Sequence, residues 1–347
     1  MIQIGIIGGG NISETHARAA REIDGVEISA ICGRNREKVA RLCELYGGAA
    51  FEDLPSFLAY KPMDLVMIGS PSGLHAEQGI AAARRGLHVL VEKPLDITTD
   101  SADGLIRECE QASVKLGVCF QDRVAPDICR LKELVDAGRL GKPILVSGRV
   151  KWCRTPEYYS GPRWRGTWAL DGGGALMNQG VHTVDLLLWL MGDVEVVSAK
   201  AITALHDIEV EDTIVATLEF ANDAIGTLEA GTSVYPGYPR RIELTGSEGT
   251  IILEHDRILR IDLRTPVPDA DVSAVENSNA SATSPVVSDV SGHIRILEDF
   301  LRAIETNGTP RCDGREGRRS VELVQAIYES ARTGQPVTLT GKGKAAT

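Results

Sequence analysis

The feature that most constrains the fold is a glycine cluster directly after a short apolar run at the start of the sequence. The run Ile2–Ile7 contains four isoleucines, which is typical of a strand buried on both faces of a sheet. Gly8, Gly9 and Gly10 follow at once, and a helix is predicted over 11–21. A strand, a glycine turn and a helix in this order form the context of the dinucleotide-binding fingerprint G-x-G-x-x-G.

Each residue of this fingerprint has a physical task. Gly8 permits the tight turn, and Gly10 lets the backbone approach a pyrophosphate, which the amides and dipole of the helix start attract. Ser13 stands at the third glycine position, where a small residue is sufficient. The alternative is a tight strand-to-helix turn without a ligand. The flanking strand and helix favour the nucleotide site.

Strand-like and helix-like segments alternate through the first third of the sequence. Apolar strands are predicted at 26–32, 64–69, 87–91 and 117–120, with helices between them. This alternation indicates a parallel sheet with helices on both faces, which binds its ligand at the carboxyl ends of the strands.

The pattern changes after residue 124. A helix is predicted over 175–191, and consecutive strand-like runs joined by short turns then predict a mostly antiparallel sheet between 194 and 263. We interpret 265–292, rich in Ser, Ala, Asp, Val and Pro, as a mobile surface loop, and 341–347 as a frayed end.

The length of 347 residues exceeds what one hydrophobic core usually organises. We therefore predict an α/β protein of two domains. Residues 1–123 form a Rossmann dinucleotide-binding domain. Residues 124–347 form an α+β domain for substrate binding and oligomerisation, whose C-terminal helix can pack back on the Rossmann domain.

The end of the second strand predicts which dinucleotide binds. An acidic residue there binds the 2′-hydroxyl of the adenosine ribose, whereas a nearby arginine suits a 2′-phosphate. Gly33 takes the place of the acid, and Arg34 and Arg36 lie beside it, which favours NADP over NAD. The alternative is that both arginines are solvated helix-start residues and that NAD binds through backbone contacts.

The tripeptide Glu92-Lys93-Pro94 ends a buried strand beside the predicted cofactor cleft. A lysine in such a place is costly unless it is paired or takes part in the chemistry. Burial and a cationic nicotinamide both favour its neutral form, which suits proton transfer. The alternatives are a structural Glu92–Lys93 ion pair and a phosphate contact.

A second motif follows three glycines at 172–174. Asn178, His182 and Asp185 are spaced to share one face of the predicted helix, while the leucines of that helix form its core side. A lone histidine on a helix is more often a satisfied structural residue. The asparagine one turn earlier and the preceding glycines favour a functional site.

An irregular segment just upstream is rich in aromatic residues. Stacking planes together with hydrogen-bonding groups are what a sugar ring needs. The candidates are Tyr158, Tyr159, Arg163, Trp164 and Trp168. The alternative for at least half of them is packing within the loop.

Composition excludes several classes of partner. The formal net charge of −11 argues against nucleic acid and anionic membranes as main partners. No apolar run reaches the ~20 residues of a membrane span, and no signal peptide is visible. The seven cysteines form no C-x-x-C pair, so we expect reduced thiols in a cytoplasmic protein. The acidic run 206–212 is interpreted as a solvated loop, and no metal is predicted.

Taken together and in order, these motifs resemble the Gfo/Idh/MocA oxidoreductase family (glucose-fructose oxidoreductase, inositol dehydrogenase, rhizopine catabolism). The resemblance spans nearly the whole chain. The matching stretches are GIIGGGNISETH, SPSGLHAEQGIAAARRGLHVLVEKPL, WRGTWALDGGGALMNQGVHTVDLLLWLMG and DGREGRRSVELVQAIYESARTGQPV. The family implies bound NAD or NADP and a second domain with a large open sheet that often joins subunits, here into a homodimer or homotetramer.

The resemblance also implies roles for single residues. Lys93 would relay a proton beside the nicotinamide ribose, Pro94 would follow a cis peptide bond, and His182 would contact the reacting hydroxyl or carbonyl. Many members have an aspartate where this chain has Asn178, which shifts proton transfer toward Lys93. The predicted cofactor contacts are Gly8, Gly10, Asn11, Ile12, Gly33, Arg34, Asn35, Ser70, Pro71, His75, Glu92, Lys93 and Gln121. The predicted substrate contacts are Lys93, Tyr158, Arg163, Trp164, Asn178 and His182.

The resulting hypothesis is a sugar or polyol dehydrogenase or reductase. A substrate hydroxyl binds near Lys93 and His182. One of them takes the proton as hydride passes to the nicotinamide, and Lys93 is favoured over His182 for this role. The MNQGVH stretch is similar to members that act on pyranosides and nucleotide sugars, often at ring C3. Two alternatives stay open: a redox-neutral sugar-modifying enzyme with retained NAD(P), and a non-catalytic NAD(P)-binding regulator.

Overall fold

The structure, a computed structural model, describes residues 1–161, 164–266 and 289–339. The predicted substrate residue Arg163, most of the predicted loop 265–292 and the predicted frayed end 341–347 lie outside the described residues. The chain divides into two compact units. The N-terminal unit comprises Met1–Gln121 and Val286–Val321, and the C-terminal unit comprises Asp122–Pro285 and Glu322–Thr347. This division concerns compactness alone, so the functional boundary between 123 and 124 stays a prediction.

The N-terminal unit is built on a six-stranded parallel sheet. Its strand order is β3-β2-β1-β4-β5-β6, the order of a doubly wound nucleotide-binding fold, which confirms the predicted Rossmann fold. The strands are β1 Ile2–Ile7, β2 Val26–Cys32, β3 Ala49–Phe51, β4 Leu65–Ile68, β5 His88–Val91 and β6 Leu116–Val118.

Helices flank this sheet, and capping side chains set several of their starts. Asp53 and Thr98 each accept a backbone N–H three residues later and so satisfy an amide of the first turn. The helices are α1 Asn11–Arg21, α2 Arg36–Tyr46, α3 Leu54–Ala59, α4 His75–Ala83 and α5 Thr99–Gln111, with short 3₁₀ turns at Ser72–Leu74 and Gln121–Val124.

The C-terminal unit contains an eight-stranded sheet. Its strand order is β13-β12-β11-β7-β10-β9-β8-β14, and every pair is antiparallel except β7 with β10, which confirms the predicted mostly antiparallel sheet. The strands are β7 Pro143–Lys151, β8 Val194–Ile202, β9 Thr213–Phe220, β10 Ile225–Gly231, β11 Arg241–Gly246, β12 Gly249–Glu254, β13 Arg257–Leu263 and β14 Val337–Thr338.

The remaining helices include one departure from the prediction. The segment 175–191 is not one regular helix, because Ala175–Gly180 is a π-helical turn and only Val181–Met191 is α-helical. The helices are α6 Pro126–Asp136, α7 Pro156–Ser160, α8 Val181–Met191, α9 Ser291–Glu305 and α10 Gly314–Thr333. None of the helices in the described ranges has the length and apolar character needed to cross a bilayer.

The large sheet has one buried face and one exposed face. In β9 the residues Ile214, Ala216, Leu218 and Phe220 are buried, and the residues between them are exposed or half-buried. This strict alternation explains why the sequence pattern predicted the sheet. The exposed large apolar side chains of these strands include Leu145, Ile202, Val215 and Ile225.

Candidate active site

The glycine turn after β1 has the geometry of an anion site. Gly8 adopts a φ of +129°, and a Cβ on it would lie 2.7 Å from the carbonyl oxygen of Gly69, so only glycine fits. A Cβ on Gly10 would meet nothing within 4 Å. Gly10 precedes α1 and has no side chain to cap it, so the amides of Asn11 and Ile12 begin a helix beside open space. A dinucleotide pyrophosphate fits this site.

The end of β2 holds the predicted adenosine-ribose contacts. A Cβ on Gly33 would lie 3.2 Å from the backbone nitrogen of Gly9, so this position packs against the glycine turn. The side chain of Asn35 caps α2 by accepting the N–H of Lys38 at 2.9 Å. Arg34 is exposed. Arg36 is exposed as well, and its Nε lies 3.5 Å from Glu52 Oε1.

His75 ties the loop after β4 to the loop that carries Lys93. Its ring is buried, with Nδ1 at 2.8 Å from the carbonyl oxygen of Pro94 and Nε2 at 2.9 Å from that of Ser70. The predicted cis peptide bond between Lys93 and Pro94 is present. Both ring nitrogens thus contact protein carbonyls, so the structure gives His75 a bridging role. Its contact with the cofactor stays a prediction.

Glu92 lies in a buried cluster of titratable groups. Its Oε1 is 3.1 Å from His16 Nε2 and 3.6 Å from His293 Nε2, and its Oε2 accepts the backbone N–H of Lys93 at 3.2 Å. Burial raises the pKa of Glu92, but the hydrogen bonds and charges of the two histidines outweigh it and hold the pKa well below its usual value. Glu92 is therefore a carboxylate that fixes the backbone at Lys93.

Cys119 completes this cluster. Burial first, and then the charge of Glu92, raise the pKa of the Cys119 thiol well above its usual value, so it stays protonated beside the carboxylate. The donor atoms of His16, Glu92 and Cys119 all lie within 4.8 Å of one another.

The remaining predicted cofactor residues lie at the carboxyl ends of the strands. Ser70 and Pro71 follow β4, and the Ser70 hydroxyl donates to Gln78 Oε1 at 2.6 Å. Gln121 begins the 3₁₀ turn after β6, and its side chain packs against Gly292. All three positions belong to the same sheet edge as the glycine turn.

In the C-terminal unit, Glu211 contacts the backbone at the last of the three glycines and at the two residues after it. Its Oε2 accepts the N–H of Gly174 at 2.9 Å, its Oε1 accepts the N–H of Leu176 at 2.8 Å, and its backbone oxygen accepts the N–H of Ala175 at 3.0 Å. The Tyr328 hydroxyl donates to Oε1 at 3.0 Å. Glu211 thus anchors the start of the π-helical turn, which carries Asn178 and leads to His182.

Burial raises the pKa of Glu211 to about 7, although hydrogen bonds from the Leu176 N–H, the Tyr328 hydroxyl and the Gly174 N–H are among those that oppose the rise. A carboxyl group whose pKa is higher in the folded state stabilises the fold below its unfolded pKa. That contribution is lost as the pH rises through the folded pKa. The free energy of unfolding should therefore fall by up to about 3 kcal/mol between pH 4.5 and pH 7.

The variant Glu211→Gln should lack this pH dependence, because it has no proton to lose. All four tryptophans of the chain, at 152, 164, 168 and 189, belong to the C-terminal unit, so their fluorescence during urea unfolding reports this unit. From pH 5 to pH 8 the free energy of unfolding of wild type should therefore fall relative to that of the variant. Parallel pH profiles for the two proteins would contradict the assignment.

The three polar residues of the second motif have separate partners. Asn178 donates its side-chain amide to Asp171 Oδ1 at 2.7 Å, and His182 Nδ1 lies 3.3 Å from Asp122 Oδ2. Asp185 is fully buried and forms a bidentate ion pair with Arg123. Asp185 is therefore structural, while Asn178 and His182 are half-buried and only these two reach the surface of the unit.

The aromatic segment forms a stacked cluster. The Arg165 guanidinium lies 4.1 Å from the ring centre of Tyr158, and Gln179 donates to the Tyr158 hydroxyl at 3.0 Å. Trp164 stacks under the same guanidinium at 5.3 Å. The Tyr159 hydroxyl is hydrogen-bonded to Thr232, so this tyrosine packs within the unit, as the loop-packing alternative held.

The acidic run 206–212 is not a solvated loop throughout. Asp212 is fully buried and accepts the N–H groups of Ala204, Leu205 and His206, and its Oδ2 lies 3.1 Å from His206 Nδ1. The interpretation as solvated acids was wrong for Glu211 and Asp212, because both are buried and accept backbone N–H groups.

Sequence reasoning missed Asp122 as the partner of His182, Glu211 as the anchor of the glycine run, and His16 and His293 as the partners of Glu92. No local signal in the sequence marks any of them. Each contact joins residues that are far apart in the chain.

Comparison with known proteins agrees with this geometry. Residues 2–120 match the family described as "Oxidoreductase family, NAD-binding Rossmann fold", and residues 128–252 match the "GFO/IDH/MocA C-terminal domain". The crystal structure of the WlbA dehydrogenase from Bordetella pertussis in complex with NADH and UDP-GlcNAcA is 34% identical. It superposes with a TM-score of 0.89, and the match covers 97% of this chain and 98% of that chain.

Two curated relatives are similar over nearly their whole length. D-xylose 1-dehydrogenase (NADP(+)) 2 of Haloferax volcanii is 29% identical, over 97% of this chain and 100% of that protein. D-glucoside 3-dehydrogenase of Escherichia coli is 26% identical, over 97% of each chain. The chain therefore belongs to the GFO/IDH/MocA family of oxidoreductases with an NAD-binding Rossmann fold.

Proposed function

We propose that this protein is an NAD(P)-dependent dehydrogenase or reductase that acts on a CH–OH group of a sugar, a glycoside or a cyclic polyol. The observation that carries the proposal is the match, over 97% of the chain, to a dehydrogenase bound to NADH and a nucleotide sugar. Relatives named for D-xylose and D-glucosides support a carbohydrate substrate, and the D-glucoside 3-dehydrogenase supports reaction at ring C3.

The residues that would hold the dinucleotide are those of the glycine turn and the strand ends. Gly8 and Gly10 with the amides of Asn11 and Ile12 would receive the pyrophosphate, and Arg34 would meet the adenosine ribose. The bound nicotinamide supplies the hydride acceptor or donor.

Lys93 and His182 are the two groups proposed to handle the reacting oxygen, one of them taking its proton. The setting of Lys93 supports this role, because Glu92 accepts its backbone N–H and His75 contacts the carbonyl of Pro94. Its backbone is thus held on both sides, as a preorganised site requires. Tyr158, Trp164 and Asn178 are proposed to contact the sugar ring, with Arg163 as a further contact from the sequence alone.

The decisive experiment is a screen of carbohydrates with NAD and with NADP, followed by the absorbance of reduced nicotinamide. The panel should include UDP-sugars, UDP-uronic acids, D-xylose, alkyl glucosides and myo-inositol. Net reduction of the dinucleotide by one sugar class supports the proposal. Turnover of a sugar without net reduction would indicate the redox-neutral alternative, and dinucleotide binding without any turnover would indicate the regulator.

The coenzyme preference can be tested at Arg34. We propose that NADP is preferred, because glycine replaces the ribose-binding acid and Arg34 is exposed beside it. Arg34→Ala should raise the KM for NADP about tenfold and change the KM for NAD less than twofold, since only NADP carries the 2′-phosphate. Equal changes for both coenzymes would contradict a phosphate contact. Arg41→Ala, on the exposed side of α2, is the matched control.

We also propose that two or four copies associate through the exposed face of the large sheet. Leu145, Ile202, Val215 and Ile225 lie on that face with between 45% and 59% of their surface exposed. Light scattering of the purified protein measures the mass of the assembly, which should be two or four times the 37.3 kDa of one chain. A cytoplasmic location is proposed as well, since none of the seven cysteines forms a disulfide.

A further inference from the structure

We propose that Asp122 and His182 form the acid–base pair of this enzyme, and that Asp122 sets the tautomer in which His182 takes the proton of the substrate hydroxyl. The inference rests on the proposed function and deepens it. Asp122 Oδ2 lies 3.3 Å from His182 Nδ1, and the two side chains are 10% and 11% exposed. Water therefore competes little for this contact.

Asp122 is held as a carboxylate by a second partner. Arg240 Nη1 donates to the same Oδ2 at 2.6 Å, and Arg240 also pairs with Asp256. Burial raises the pKa of Asp122, but the charge of the Arg240 guanidinium and its hydrogen bond, together with the nearby His182 ring, outweigh burial and hold the pKa far below its usual value. An ionised carboxylate can only accept hydrogen bonds.

This restriction fixes the histidine. A carboxylate oxygen 3.3 Å from Nδ1 favours the neutral ring of His182 that carries its hydrogen on Nδ1, which leaves the lone pair on Nε2. In other base–carboxylate pairs, the carboxylate likewise orients the histidine and stabilises the imidazolium that forms during turnover. Asn178 donates to Asp171, so the residue that family resemblance compares with an aspartate is directed elsewhere.

The proton balance follows from this arrangement. The substrate O–H bond breaks and its proton forms an N–H bond on His182 Nε2, while the C–H bond breaks and its electron pair leaves as hydride to the oxidised dinucleotide. A carbonyl forms on the sugar, and the imidazolium is stabilised by Asp122. Lys93 then has the task of donating a hydrogen bond to the reacting oxygen rather than removing its proton.

The variant Asp122→Asn tests the pair in the full-length protein. Arg240 Nη1 and His182 Nδ1 both contact Oδ2, so the amide oxygen should keep that position, because Arg240 can only donate, and the side chain loses its negative charge. Without that charge the imidazolium that forms during turnover is no longer stabilised. We expect kcat to fall about 10²-fold or more, with KM changed less than threefold. Asp223→Asn, at a side chain that is 83% exposed, is the matched control and should keep full activity.

A nuclear magnetic resonance measurement makes the test independent of turnover. In protein labelled with ¹⁵N-histidine, a long-range ¹H–¹⁵N correlation separates the two tautomers and the imidazolium. His182→Gln identifies the resonance. Wild type, Asp122→Glu and Asp122→Asn should show the Nδ1–H tautomer, because each keeps an oxygen acceptor, whereas Asp122→Ala, which has none, should show the Nε2–H tautomer. Asp122→Glu keeps the test decisive if the asparagine variant does not fold.

The outcomes separate the two proposals. If no sugar is turned over but wild type shows the Nδ1–H tautomer, the proposed function fails and the assignment of the His182 tautomer stands. An Nε2–H ring or an imidazolium in wild type at neutral pH would overturn the inference. Unchanged kcat in a folded Asp122→Asn protein would overturn it equally.

Discussion

Replacing Lys93 with methionine is expected to lower kcat about 10³-fold, with dinucleotide affinity changed less than threefold. Methionine keeps the unbranched apolar stem and removes the amine, the group proposed to act on the reacting oxygen. The loss of a single preorganised donor or proton-transfer group typically costs 10²- to 10⁴-fold in rate. Stopped-flow turnover on the substrate found in the screen measures kcat, and fluorescence titration of NADPH measures affinity.

A second substitution at the same position separates two roles for the lysine. Lys93→Arg keeps the positive charge and the donors but cannot lose a proton. If His182 is the base, kcat of Lys93→Arg should be at least tenfold higher than kcat of Lys93→Met. If Lys93 is the base, arginine should be as inactive as methionine. Lys142→Met removes an amine from a side chain that is 67% exposed and should leave kcat unchanged. Near-wild-type turnover of Lys93→Met would remove Lys93 from the site.

The effect of Lys93→Met should not come from local unfolding. The backbone at Lys93 is fixed by groups other than its own side chain, namely the Glu92 carboxylate and the ring of His75. Glu92 in turn is paired with two buried histidines. Thermal unfolding of the N-terminal unit should therefore be nearly the same in wild type and variant.

Most of both sheets could be predicted because their signals are local. A strand buried on both faces is a continuous apolar run, as in Leu65–Ile68, and a half-exposed strand alternates, as in Thr213–Phe220. Ala49–Phe51 and Leu54–Ala59 were not predicted, since elements of three and six residues are too short to show a period.

The π-helical turn Ala175–Gly180 could not be predicted from its own sequence. Its apolar spacing fits an ordinary helix, and the departure coincides with contacts from Glu211, 37 residues away from Gly174. The glycines are visible in the sequence and were interpreted as favouring a functional site. The sequence contains no information that their contact is Glu211.

The partners of the candidate catalytic residues could not be predicted either, because they too are distant in sequence. Asp122 and Arg240 are separated by 118 residues, and neither stands in a recognisable motif. Lys93, His182 and the glycine turn were identifiable because their neighbours in sequence carry the pattern. A motif thus marks the residue that meets the ligand, whereas the groups that set its charge and orientation are brought together only by the fold.

Replacing Gly174 with alanine is expected to destabilise the C-terminal unit by about 3 kcal/mol or more and to abolish turnover. A Cβ at this position would lie 1.7 Å from the carbonyl oxygen of Glu211 and 3.0 Å from its Oε2. The first contact is impossible and the second is tight, so the backbone must separate and the hydrogen bonds from Glu211 to 174–176 are lost. Urea unfolding followed by tryptophan fluorescence measures the change in this unit.

The location of the damage makes the prediction specific. The glycine turn of the nucleotide site belongs to the other compact unit, so NADPH titration of Gly174→Ala should give a dissociation constant within about threefold of wild type. Gly161→Ala is the control, because within the described part of the chain its Cβ would meet only the carbonyl of Glu157, at an ordinary 3.7 Å. A Gly174→Ala protein with unchanged unfolding would show that Glu211 does not anchor the segment leading to His182. Loss of NADPH binding in Gly174→Ala would contradict the prediction, because it would show that this substitution also damages the nucleotide site of the N-terminal unit.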